Sequence, residues 1–293
     1  MSRLYAFSAG TARAKVSLSN GACDCHIHVY DNKVPAIVGA ALNPPDASIS
    51  DYQQVQQRMG TQRAVVVTPS TYGANNRLTL AAISQLGSAG RGVVVITGDE
   101  TLKDLCQLNE QGVRGVRVNL SKGVIHQISD VPTLARRIAP LGWHLQLLMP
   151  VDKLLEHREL LLKLPVDLVF DHFGRITPEL CGRNRAHDTL LHLLKERRAW
   201  IKLSGGYLVS SICSSNDPQL LPLARSFIDA APDRVLWGSD WPHATASAGH
   251  QPMPDDAAQL DALASWAGNS DRLRQILVIN PEKLYGFTPS SSH

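Results

Sequence analysis

The sequence predicts a (β/α)8 TIM barrel, on three observations. Eight short apolar runs rich in β-branched residues recur at fairly even intervals along the 293 residues. Several are continuous rather than alternating, such as Ala64-Val65-Val66-Val67 and Val93-Val94-Val95-Ile96, the pattern of parallel strands buried on both faces. The stretches between them carry apolar residues at helical spacing. Strands alternating with helices over this length point to a parallel barrel. A doubly wound open sheet is the alternative. No Gly-x-Gly-x-x-Gly turn follows the first run, which weakens a dinucleotide-binding reading.

The elements follow in order. Residues 1–20 hold no acidic side chain and several Ser, Arg and Lys. This faintly resembles a transit peptide but reads better as a short N-terminal arm. The barrel is expected over residues 21–287, with its first strand at 22–30. A helix at 50–59 sets Tyr52, Val55 and Met59 on one side. Strands at 64–68, 92–97 and 115–120 alternate with helices at 76–86 and 101–110. Asp130, before Val131-Pro132, is expected as the N-cap of the next helix, with proline in its first turn. Strands at 144–149 and 168–172 precede a helix at 188–197 that carries Leu190, Leu191, Leu193 and Leu194. A strand at 200–204, a helix at 218–230, a strand at 235–240 and a helix at 254–266 complete the pattern. Residues 288–293 read as a flexible tail. No repeat or linker interrupts the chain.

Composition excludes several partners. A net charge of +3, from 29 basic and 26 acidic residues, gives no reason to expect nucleic acid or a membrane surface. Arg136-Arg137 and the run from Lys195 to Arg198 read as solvated helix faces. The five cysteines show no regular framework, so reduced thiols in a cytoplasmic protein are expected. No apolar run is long enough to span a bilayer.

The strongest chemical signal is Asp24-Cys25-His26-Ile27-His28. Side chains alternate across a strand, so Asp24, His26 and His28 would share one face, and Cys23, Cys25, Ile27 and Val29 the other. Two imidazoles on one strand face can reach a single cation. The cysteines, turned away, are expected to pack. In a barrel, chemistry comes from the C-terminal ends of the strands. Here those ends are polar: Ser70-Thr71-Tyr72-Gly73 after the second, Arg117 and Asn119 on the fourth, Asp171-His172-Phe173-Gly174-Arg175 after the sixth, Lys202 and Ser204 on the seventh, and Gly238-Ser239-Asp240-Trp241-Pro242-His243 after the eighth. Each has a bland reading. His172 could be a core histidine, Asp240 a helix cap, and Arg117 a buried partner of Asp24 or Asp171. With His26 and His28 on the first strand, six polar strand ends on one rim argue for use.

The runs at 24–28, 170–175 and 237–243, followed by Asn280-Pro281-Glu282-Lys283-Leu284-Tyr285, resemble the amidohydrolase superfamily. Within it they resemble most the branch of 2-pyrone-4,6-dicarboxylate, sugar-lactone and muconolactone hydrolases. The resemblance implies a cytoplasmic enzyme of aromatic or sugar-acid catabolism that hydrolyses a carboxylated lactone. It implies that His26, His28, His172 and Asp240 form the catalytic set and hold one divalent metal, zinc by preference. Metal-independent catalysis by the same imidazoles is the alternative. Asp240 would be the general base, and Arg117 would grip a substrate carboxylate. Lys202, Tyr72, Ser70 and His243 are further substrate-contact candidates, with Lys122 and Arg175 behind them. For Lys202 a structural ion pair is the equal alternative, and for His243 a structural cap.

The sequence also departs from that branch. Two arginines of its carboxylate clamp are replaced, one by Gly123 beside Lys122 and one within Ser204-Gly205-Gly206-Tyr207-Leu208, and its fifth-strand tyrosine is Leu148. The dicarboxylate clamp is therefore only partly present. The alternatives are a metal-dependent decarboxylase of an aromatic or semialdehyde acid, a lactone isomerase, and a non-catalytic acid-binding barrel. A small carboxylated molecule is the expected partner, and a homo-oligomer is left open.

Overall fold

The computed structural model describes residues 5–121 and 125–290. Lys122 and Gly123 lie outside them. Eight strands, β1 (Cys23–Ile27), β2 (Arg63–Val67), β3 (Gly90–Val94), β4 (Val113–Asn119), β5 (His144–Leu148), β6 (Leu168–Phe170), β7 (Ala199–Ser204) and β8 (Val235–Gly238), form one sheet in sequential order. Each is parallel to its neighbour. The sheet closes on itself just past β8. Ile27 bridges Trp241 in parallel, Asp240 N donates to His26 O at 2.9 Å, and His28 N donates to Trp241 O at 2.8 Å. The expected (β/α)8 barrel is thus the observed fold, and all eight expected strands are present.

Helices α1 (Ile49–Met59), α2 (Arg77–Leu86), α3 (Leu102–Glu110), α4 (Val131–Ile138), α5 (Val151–Glu156), α6 (Arg158–Leu162), α7 (Arg185–Lys195), α8 (Leu220–Ala230), α9 (Ala244–Ser247), α10 (Asp256–Ala267), α11 (Ser270–Arg274) and α12 (Asn280–Tyr285) connect and flank the strands. Capping fixes several starts. Ser48 and Asp51 form a reciprocal capping box on α1, as Thr101 and Asp104 do on α3, satisfying amide groups that the first turn leaves free. Asp130 occupies the expected N-cap position of α4, with Pro132 in the first turn, but its side chain caps no amide of that helix. Asp130 ends a 3-10 turn, Ile128–Asp130, that runs directly into α4, and its carboxylate accepts from Gln127 N at 2.7 Å.

Two apolar layers hold the barrel. Ala64, Val66, Val116, Val118, Leu145, Leu147, Ile201 and Leu203 face the helices. Cys23, Cys25, Val65, Val67, Val93, Val169, Trp200 and Leu236 fill the interior with Tyr285 and Phe287. Phe287 lies under Arg63 and Arg91, at 5.1 and 4.5 Å from ring centroid to guanidinium, and so closes the end where the strands begin.

This layering corrects the expected face of β1. Asp24 pairs with Ala64, but the next pairing is Ile27 with Val66. Three residues on β1 therefore advance as far as two on β2, and this one-residue bulge reverses the phase of alternation. Asp24 turns toward α1, accepting from Tyr52 Oη at 3.1 Å and from Ser239 N and Oγ at 2.9 and 2.6 Å. Cys23 and Cys25 are packing residues as expected, but on the inner face, below the histidines.

The arm is tied to the barrel. Arg58 of α1 donates to Ala9 O and Ala12 O at 2.7 Å each, and Trp241 Nε1 donates to Ala6 O at 3.0 Å. The tail is anchored as far as it is described. Arg63 Nη2 donates to Thr288 O at 2.6 Å and Ser290 N donates to Glu282 Oε1 at 2.7 Å. Among the described residues no helix is long and apolar enough to cross a membrane.

Candidate active site

The mouth of the barrel is built by strained turns. Five of the eight non-glycine residues with positive φ among the described residues are His172, Phe173, Arg175, Asp240 and His243, all in the loops after β6 and β8. This backbone is costly for residues with a Cβ, and its clustering at one rim marks the site. The turn at φ 51° on His172 brings His172 to the mouth although Asp171 before it already points inward.

Four groups meet there. His26 Nε2 lies 3.3 Å from His28 Nε2. Asp240 Oδ1 lies 3.6, 3.8 and 3.9 Å from Nε2 of His26, His28 and His172. Each opposite ring nitrogen has a neighbour. His28 Nδ1 is 2.7 Å from Val67 O, His172 Nδ1 is 2.9 Å from Ser204 Oγ, and His26 Nδ1 is 3.3 Å from Asp171 Oδ1. A carbonyl only accepts, so His28 donates from Nδ1 and turns a lone pair on Nε2 to the site. Outer partners of this kind are what orient metal-ligating histidines.

The set fits a small divalent cation. A tetrahedral ion with bonds of about 2.0–2.1 Å to nitrogen sets its ligand atoms roughly 3.3–3.4 Å apart. The four distances here are of that order and slightly looser. A second grouping, His26 with Asp171 and His172, is less suitable, because Asp171 Oδ1 stands behind His26 on its Nδ1 side.

Burial sets the charges. It holds His26 and His172 well below the ordinary imidazole pKa and lowers His28 to about 3, so the three rings are neutral and able to act as ligands. Burial also raises Asp240 to about 6, with the hydrogen bond from Tyr207 pulling the other way.

Above this floor opens a cavity of about 530 Å³ lined by His28, His172, Asp240, Ser70, Arg117, Asn119, Arg175, Leu148 and Leu208, among others. Arg117 Nη1 donates to Thr68 O and Ser70 Oγ, both at 3.2 Å, and Asn119 Nδ2 donates to the same Ser70 Oγ at 2.8 Å. Arg117 Nε is 3.8 Å from Asp171 Oδ2, one of the two ion pairs its sequence context allowed. The structure thus brings together His26, His28, His172, Asp240, Arg117 and Ser70.

Three other candidates do not line the cavity. Lys202 is fully buried beneath His26 and donates to Gln146 Oε1 at 2.7 Å. It lies one layer deeper than Ser204 on the same inner face of β7, out of a ligand's reach. Tyr72 binds its hydroxyl to Asp31 N and O at 3.0 and 3.2 Å, which pins the loop after β1. His243 is buried with Nε2 3.1 Å from Asp256 Oδ1. Its ring packs edge-on against Tyr207, 5.5 Å away.

Tyr207 is the residue sequence reading missed. Its hydroxyl donates to Asp240 Oδ2 at 2.5 Å. The only available signal was the Gly205-Gly206 turn after β7, where Gly205 has φ 55°. A Cβ on Gly205 would stand 3.0 Å from His172 Nδ1 and 3.4 Å from Asp240 Oδ2.

A family model described as amidohydrolase matches residues 23–287. A 2-pyrone-4,6-dicarboxylate hydrolase of Comamonas testosteroni is 31% identical over 289 residues, covering 94% of this chain and 94% of that protein. A 4-sulfomuconolactone hydrolase of Hydrogenophaga intermedia is 30% identical over 273 residues, covering 91% of this chain and 89% of that one. Among solved structures, a probable 2-pyrone-4,6-dicarboxylic acid hydrolase from Acinetobacter baumannii with citric acid bound superposes with a TM-score of 0.80 at 27% identity, over 91% of this chain and all (100%) of that chain.

Proposed function

This chain belongs to the amidohydrolase family, and from that premise we propose that it is a cytoplasmic hydrolase that opens a small carboxylated lactone. One observation carries the reading. A single carboxylate oxygen, Asp240 Oδ1, faces three neutral imidazoles on the floor of a cavity whose wall holds Arg117.

Hydrolysis needs a base for water, a stabiliser for the oxyanion, and a grip on the substrate. Asp240 takes a proton from water as its oxygen attacks the lactone carbonyl carbon. The ring C–O bond then breaks, and the same carboxyl returns the proton to the departing oxygen. A base raised to about 6 is better matched to neutral pH than an ordinary carboxylate. The Tyr207 hydroxyl holds Oδ2 and so aims Oδ1. Arg117, backed by Ser70 and beside Asn119, offers a planar fork to the substrate carboxylate. Arg175 shares the cavity wall, and its guanidinium donates to no protein acceptor among the described residues, which makes it a second carboxylate contact.

His26, His28, His172 and Asp240 would hold a divalent metal, zinc by its preference for nitrogen-rich sites. When bound it would polarise the carbonyl and lower the pKa of water.

The relatives named above act on lactones, which supports the reaction class. Leu148 stands where that branch carries an active-site tyrosine, and the run Ser204-Gly205-Gly206-Tyr207-Leu208 where it carries an arginine, which favours a lactone with fewer or differently placed acid groups than 2-pyrone-4,6-dicarboxylate. The direct test is Asp240→Asn. Lactone hydrolysis should fall by about 10²–10⁴-fold, the usual worth of a general base, with the circular dichroism spectrum unchanged. Retained turnover would remove Asp240 from the mechanism.

A further inference from the structure

Lys202 has no part in the hydrolysis described, yet its amine sits 3.5 Å from His26 Nδ1. Asp171 Oδ1 stands 3.3 Å from the same nitrogen and 3.8 Å from the Lys202 amine, an ion pair too long for a hydrogen bond, so it accepts none. Gln146 links the two rivals, accepting from Lys202 Nζ at 2.7 Å and donating to Asp171 Oδ2 at 3.1 Å. His26 Nδ1 is therefore bracketed by a donor and an acceptor, with all four side chains buried.

A neutral imidazole carries one N–H, and the partner of one nitrogen decides the role of the other. With Lys202 donating to Nδ1, the hydrogen sits on Nε2 and faces the cavity. It can then donate to His28 Nε2 at 3.3 Å, whose Nδ1 already donates to Val67 O at 2.7 Å. Every donor in this chain finds an acceptor. With Asp171 taking the hydrogen from Nδ1 instead, Nε2 turns a lone pair to the cavity. Only that arrangement lets His26 ligate a metal.

We propose that Lys202 is a positioning residue that competes with Asp171 for His26 Nδ1. It weakens the hold of the site on a divalent cation and keeps the His26 Nε2–H available as a hydrogen-bond donor to a carbonyl oxygen. The inference rests on the reading of His26 as one of the cation-holding groups, but on no particular substrate.

The test uses the purified full-length protein. Zinc affinity is measured by competition with a chromophoric chelator, and the His26 tautomer by nitrogen chemical shifts in metal-free, ¹⁵N-histidine-labelled protein. Lys202→Met should tighten zinc binding about 10- to 100-fold, the usual reach of a partner behind a metal ligand. It should also move the His26 hydrogen from Nε2 to Nδ1. Unchanged or weaker zinc binding would overturn the proposal. So would an Nδ1–H tautomer in the metal-free wild type, a measurement that decides the matter even if the variant does not fold. If neither protein binds zinc, the cation-holding reading falls and the proposal with it, while the lactone assay still judges the hydrolase reading separately.

Discussion

Tyr207 donates to Asp240 Oδ2, which leaves Oδ1 as the one carboxylate oxygen facing His26, His28 and His172. The bond both aims the base and restrains its basicity. Hydrogen bonds to charged groups are worth about 1.5–3 kcal/mol, so Tyr207→Phe should lower kcat for lactone hydrolysis by about 10- to 100-fold, with KM little changed. An equal loss through KM alone would mean that Tyr207 binds substrate instead.

The pH dependence has a definite sign. Asp240 must be ionised to accept a proton, and burial raises it to about 6. For the metal-free enzyme, kcat/KM should be flat above that value and fall as pH drops through it. Tyr207→Phe removes an interaction that lowers this pKa, so its acid limb should move to higher pH. Bound metal would favour the ionised carboxylate and move the limb lower. An acid limb at the ordinary carboxylate value of about 4 in chelated enzyme would contradict the buried-base account.

Arg117 is predicted to act on binding. Arg117→Ala should raise KM for carboxylated lactones by about tenfold or more, as loss of a charge-assisted contact implies. It should change KM little for an uncharged lactone of the same ring. Equal effects on both would assign Arg117 to folding through Thr68, Ser70 and Asp171.

The barrel seam makes a structural prediction. A Cβ on Gly238 would stand 2.5 Å from His26 Cβ and 2.8 Å from His26 N. Gly238→Ala must spread β1 from β8 or push His26 aside. Overpacking of this kind costs about 1–3 kcal/mol, so urea unfolding should shift to a lower midpoint while activity falls more than stability does. A variant as active as wild type would show that the His26 position is not demanding.

The fold was legible because each parallel strand is buried on both faces and therefore reads as an unbroken apolar run. The metal-ligand candidates were legible as motifs, but their depth was not. Lys202 and Ser204 share the inner face of β7, and only the assembled barrel tells which of them reaches the cavity. The face of Asp24 was misjudged because a one-residue bulge leaves no mark in an alternating stretch. Tyr72 and His243 carry site-like chemistry yet spend it on Asp31 and Asp256. Tyr207 was missed because a tyrosine in a short glycine turn has no periodicity to give it away, and its partner is 33 positions later in the chain.

The most direct test is hydrolysis of a panel of carboxylated lactones by the purified protein, with and without a chelator, including 2-pyrone-4,6-dicarboxylate and smaller monocarboxylated lactones. The account predicts ring opening of at least one member, with Asp240→Asn inactive on the same compound. Failure to open any lactone under either condition, with the protein folded, would contradict it.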